Sequence, residues 1–158
     1  MANTQSMCTS FLSELMTATH NFGASPVRAG TTADTFKAAL YLATATVNAS
    51  TTVYSATNEV SGTNYVAGGV SITNATAPLS TNTSTTAGVA YWTPTASIIY
   101  TNVTLSTAFD TILVYNSTQS NKAVSVHTFG SQTNTAGNFT LTMPSNSTTT
   151  ALLRLSTT

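Results

Sequence analysis

The chain has 158 residues, of which 41 % are hydrophobic and 5 % charged, and its four basic and four acidic side chains cancel to a formal net charge of zero. That length can bury a core without metals or disulfides, and a disulfide framework is excluded because Cys8 is the only cysteine. Zero net charge leaves no electrostatic footprint for nucleic acid and no polybasic membrane anchor, and no apolar run reaches the roughly 20 residues of a membrane-spanning helix.

Residues 5–21 carry the helical period. Met7, Phe11 and Leu15 recur every four residues, and Cys8, Leu12 and Met16 form the adjoining row, so a helix with one broad apolar stripe is predicted within an N-terminal arm, residues 1–22. Asn3, Thr4 or Ser6 suits its start, and His20 and Gly23 suit its end. The stripe must be buried, either on its own domain or against a neighbouring subunit, which makes Cys8 a small core hydrophobe. The opening residues MANTQSMCTSF lack a basic region followed by an apolar core, so no secretory signal is expected.

After the Gly23–Ala33 loop the period changes to two. Phe36, Ala38, Leu40 and Leu42 alternate with Thr35, Lys37, Ala39 and Tyr41, the pattern of a strand with one buried face. Strand character returns in Tyr65–Ile72, Val89–Thr93, Ala96–Leu105, Thr107–Tyr115, Ala123–Phe129, Asn138–Met143 and Ala151–Leu155. Between them lie the low-bulk loop Thr73–Ala87, the polar turn Asn116–Lys122 and the loop Gly130–Gly137. Threonine favours strands through its branched Cβ, and disordered chains combine low hydrophobicity with high net charge, neither of which holds here. The expectation is an all-β single domain: a β-sandwich or jelly roll of about eight short antiparallel strands over residues 34–158, with a short N-terminal helix.

A catalytic constellation is hard to assemble. Glu14, Asp34, Glu59, Asp110, His20 and His127 are the whole inventory of acids and histidines, and none shares a local motif with another. Two histidines and one cysteine form no spaced metal-ligand cluster, and neither a nucleophile elbow nor a phosphate-cradling loop is present. No enzyme activity, cofactor or metal is therefore expected. Lys37, Asp110 and Arg154 interrupt strand-like segments, so they either pair as Asp110–Arg154 or Asp110–Lys37 or point to solvent. Trp92, beside the strand-stopping Pro94, is the aromatic side chain to consider for stacking on a sugar, against the alternative that it joins the core with Tyr54, Tyr65, Tyr91 and Tyr100.

The most distinctive stretch is Asn58–Val70, NEVSGTNYVAGGV, which sets Glu59 among Gly62, Gly68 and Gly69. It reads as a strand–turn–strand device in which Gly62 allows the turn, Tyr65 anchors it and Gly68–Gly69 permits close backbone approach. Glu59 is expected to fix that turn, or a subunit contact, through hydrogen bonds to backbone N–H groups or to a cation.

Taken in order, Met1–Phe11 with Cys8, Asp34–Tyr41 (DTFKAALY), the Thr44–Thr57 turn region, Asn58–Val70, Ala108–Lys122 (AFDTILVYNSTQSNK) and the tail Ala136–Leu155 resemble small structural proteins of tailed bacteriophages. The resemblance covers most of the chain. It implies a capsid decoration, or cement, protein on the surface of the virion, assembled in the host cytoplasm. Its implied partners are copies of itself, as a homotrimer, and the major capsid protein, with neither nucleic acid nor membrane. It implies no catalytic residues. A tail or collar fibre, or a host-surface glycan-binding protein of the virion, is the competing expectation. Contact segments are expected in Met1–Phe22, Gly23–Ala33 and Thr73–Ala87.

Overall fold

The structure, a computed structural model, describes residues 2–23, 32–73, 77–81 and 88–157. It is all-β with one short helix and two antiparallel sheets. In chain order the elements are β1 (Ser6–Met7), α1 (Thr9–Met16), β2 (Phe36–Leu42), β3 (Val70–Ser71), β4 (Leu79–Ser80), β5 (Val89–Trp92), β6 (Ile98–Asn116), β7 (Lys122–Leu141) and β8 (Leu153–Ser156). The larger sheet runs β1-β7-β6-β2-β3 and the smaller β4-β5-β8.

The β6–β7 hairpin dominates the chain. Its turn falls in the polar run after Asn116, as the composition predicts, and Asn116 pairs with Lys122 across it. The two strands are much longer than expected, 19 and 20 residues. The predicted breaks at Ser106 and over Gly130–Gly137 are instead irregularities in one continuous ladder: Phe109 faces Gln132, Leu105 faces Asn134 and Val103 faces Gly137, with the register shifting between successive pairs. Bulges absorb extra residues without ending the pairing, so glycine and hydroxyl-rich stretches that look like loops remain in the strand.

β2 lies where the alternating pattern placed it, but the single buried face that the pattern predicts is not what forms. It pairs along β6 from Phe36↔Asn116 to Leu42↔Phe109, and Phe36, Ala38 and Leu40 are fully buried. Ala39 and Tyr41 on the opposite face are buried as well, so this strand is covered on both sides.

The N-terminal segment differs from its expected form. Met7 lies in β1, paired with Ser125 of β7, and the helix is confined to Thr9–Met16 with Cys8 at its N-cap position. Cys8 and Phe11 are buried against the segment's own sheet, whereas Leu12 and Met16 are 44 % and 84 % exposed. Two of the six residues of the predicted stripe therefore face outward. Asn3 anchors the start of the chain: its amide nitrogen donates to the Leu42 carbonyl and to Asp110, and its oxygen accepts the Val47 N–H.

The core is one connected cluster running from Phe11 through the central strands to Phe139 and Leu153. Its aromatic centre links both sheets. Phe22 stacks on Phe36 of β2 at 4.3 Å between ring centroids and meets Trp92 of β5 edge-on at 4.9 Å.

Candidate functional site

Asn58–Val70 forms no regular strand–turn–strand unit. Glu59 makes a single bridge to Tyr41 and Thr63 one to Thr104, and only Val70–Ser71 joins a ladder, against Lys37 and Ala38. The left-handed residues at its corners are Asn58 and Asn64 (φ of 60° each), followed by Gly68 and Gly69. Gly62 is required for a different reason: a Cβ there would stand 2.0 Å from the Thr104 carbonyl oxygen. Gly69 combines both needs, with φ +69° and a Cβ position 1.7 Å from the Ala38 carbonyl oxygen.

Glu59 is held at the centre of this segment. One carboxylate oxygen accepts the Tyr65 hydroxyl at 2.7 Å and the Gly68 N–H at 2.8 Å, and the other accepts the Tyr54 hydroxyl at 2.6 Å. Each donor is tied back into the sheet. The Tyr65 hydroxyl accepts the Leu40 N–H at 3.0 Å and its ring stacks on Tyr100, whose hydroxyl donates to the Ala38 carbonyl. Tyr54 stacks on Tyr115 at 4.7 Å, and the Tyr115 hydroxyl donates to the Gly68 carbonyl. The Tyr41 hydroxyl donates to the Ser55 carbonyl at 2.5 Å.

Burial, with the Glu59 charge adding to it, raises the phenols of this cluster above their ordinary value; Tyr41 and Tyr115 each rise to about 12, and Tyr54, Tyr65 and Tyr100 rise further. These tyrosines stay protonated and donate. The arrangement is a carboxylate-centred clamp on loop 52–70, with its polar groups spent on structure. Its Tyr54, Tyr100 and Tyr115 contributors were visible in the sequence only as core-like aromatics.

The candidate ion pairs do not form. Asp110 accepts Asn3 and Thr111, Arg154 donates to the Thr149 carbonyl, and Lys37 Nζ lies beside Gly68. The reason is topological. Arg154 belongs to the other sheet, where it faces Tyr91. Lys37 faces Tyr115, whereas Asp110 lies beside the Tyr41–Leu42 end of β2, four residues away along the strand, or about 14 Å. Trp92 is 2 % exposed and packed against Phe22 and Phe36, so it offers no face for sugar stacking.

A second polar cluster went unseen in the sequence. Glu14 of α1 accepts Lys122 Nζ at 2.6 Å and His20 Nε2 at 2.8 Å. Asp34 accepts the Asn21 N–H, Asn116 Nδ2 and Gln119 Nε2. Burial raises the Glu14 carboxyl, but hydrogen bonds from Lys122 and His20 outweigh it and leave it below its ordinary value. Seven residues from four separate stretches meet here, and no local spacing announces that. His127 of β7 lies apart, its Nε2 2.9 Å from the Ser125 hydroxyl, and burial pushes its imidazole down to about 4.

Among the described residues no group of three or more His, Cys, Asp or Glu side chains is placed to hold a metal ion, and no helix is long and apolar enough to cross a membrane. Comparison with protein-family models, with curated proteins and with solved structures finds no match. Of the expected contact segments, residues 24–31 of Gly23–Ala33, residues 74–76 and 82–87 of Thr73–Ala87, and Met1 lie outside the described residues.

Proposed function

We propose that the chain is a structural protein of a bacteriophage virion, a decoration protein that binds the head shell as a homotrimer, touching the major capsid protein and its own copies. In this reading the two sheets are the layers of a β-sandwich, an arrangement supported by the Trp92–Phe22–Phe36 contact between them.

The observation that carries the reading is the outer edge of β7. β1 covers this edge only at Ser125 and Val126, and from Thr128 to Leu141 it has no strand partner among the described residues. The sequence of that edge, TFGSQTNTAGNFTL, contains no charged side chain. Free edges of soluble proteins are usually blunted by charge because they template further pairing. This edge has bulges instead, which restrict pairing to a partner of matching shape. A neutral, hydroxyl- and amide-bearing edge suits a docked subunit, and many such contacts repeated over a symmetric lattice add up to avidity.

Imaging of particles made with and without this protein tests the proposal. Density at repeated head positions, and heads that rupture more readily when the protein is missing, are the expected results. A few copies confined to the tail would refute it. The fibre or glycan-binding alternative has no support from Trp92, which is buried.

A further inference from the structure

We propose that His20 is the pin of an acid-sensitive latch: uptake of one proton at its Nδ1 frees the N-terminal segment, residues 2–23, from the body of the domain.

The His20 side chain is fully buried, with Nε2 2.8 Å from Glu14 and Nδ1 3.0 Å from Asn116 Nδ2. Asn116 settles which way the protons lie. Its side-chain oxygen accepts the backbone N–H groups of Thr118 and Gln119 in the β6–β7 turn, at 3.1 and 3.2 Å. Its NH2 group therefore points the other way, giving one hydrogen to Asp34 Oδ2 at 2.7 Å and the other to His20 Nδ1. Nδ1 must be an acceptor, so the ring is neutral and carries its proton on Nε2, facing Glu14. A proton on Nδ1 would set N–H against N–H2. Turning the Asn116 amide over would relieve that clash only by withdrawing its oxygen from the two turn amides.

The charged groups facing the imidazole are the carboxylates of Glu14 and Asp34 and the ammonium of Lys122, and the rings of Phe11, Phe22 and Phe36 close the rest. The carboxylates favour the imidazolium, and burial opposes it more strongly, leaving the ring less basic than an ordinary histidine. A released His20 takes up a proton near pH 6.5 and a docked one does not. The docked state is therefore weakened as pH falls below about 6.5, down to the lowered value of the docked ring.

Local release is cheaper than global unfolding. Through β1 the segment contributes only two residues to the larger sheet. Its buried side chains are few, chiefly Cys8, Phe11, His20, Asn21 and Phe22, while the β2–β6–β7 ladders carry most of the remaining core.

Cys8 makes the opening measurable, because it is the only thiol and is completely buried in the same segment. Its modification by 4,4′-dithiodipyridine, normalised to a free thiol, is followed from about pH 7.5 to about pH 5, with circular dichroism recorded on the same samples. The normalised rate should climb as pH falls, approaching about tenfold per pH unit for a one-proton linkage, while the β signal persists. His20→Gln should flatten the profile, whatever its absolute rate, and His127→Gln should leave the slope unchanged. A flat wild-type profile, a rise that tracks loss of the β signal, or a His20→Gln slope equal to the wild type would overturn the proposal.

Discussion

Replacing Glu59 tests the clamp directly. In Glu59→Ala the hydroxyls of Tyr54 and Tyr65 and the N–H of Gly68 all lose their acceptor. Leaving a buried donor unsatisfied costs about 1–3 kcal/mol, but the half-exposed tyrosines recover part of that from water, so a total of about 4 kcal/mol is expected. Glu59→Gln is milder. Its oxygen can keep Tyr65 and Gly68, while the Tyr54 hydroxyl turns to accept from the new NH2 group. What is lost is charge assistance, about 2 kcal/mol over three bonds. The donors should also rank. Tyr65→Phe should cost about 2 kcal/mol, because the Leu40 N–H loses its acceptor too, and Tyr54→Phe about 1 kcal/mol, because its hydroxyl serves Glu59 alone. Urea unfolding of the four variants, followed by Trp92 fluorescence, measures the series. Glu59→Gln melting like the wild type, or Tyr54→Phe costing more than Tyr65→Phe, would refute the clamp.

Gly69→Ala should cost about 3–4 kcal/mol, since its Cβ meets backbone oxygen rather than a side chain that can move; calorimetry would show the drop in melting temperature. Trp92→Ala should destabilise by about 3–5 kcal/mol through the cavity left beside the stacked Phe22 and Phe36 rings, and denaturation followed by circular dichroism checks it. Alkali supplies a third test. The tyrosine pKa values are raised in the folded state, so the folded chain binds more protons than the unfolded chain above about pH 10. Stability is therefore intact below that pH and falls as pH rises beyond it. Phenolate absorbance should lag behind that of free tyrosine and appear together with unfolding.

The pattern of period two located β2, although both of its faces turned out buried, and the polar run located the Asn116 turn. The pattern split β6 and β7 because bulges carry Ser106 and Gly130–Gly137 through the ladder despite their loop-like composition. It overextended the helix because Met7 answers to pairing with Ser125 rather than to helical period. Glu59 stood out as a carboxylate among glycines and Tyr65 as the anchor beside it, but Tyr54, which also holds it, and Tyr100 and Tyr115 of β6, which brace the clamp, are indistinguishable in the sequence from core aromatics. The Glu14–His20–Asn116–Asp34 cluster was illegible for the same reason: its members converge only after β2, β6 and the N-terminal segment have docked.

Binding to the head is the most direct test of an architectural role. Purified protein titrated onto particles that lack it, at low and at high salt, should saturate at a fixed number of copies per head. Because the β7 edge carries no charge, screening should leave the affinity unchanged, and Thr133→Lys with Thr135→Lys should abolish binding without altering the melting temperature. The contradicting result is no saturable binding to heads, or binding that vanishes as salt is raised.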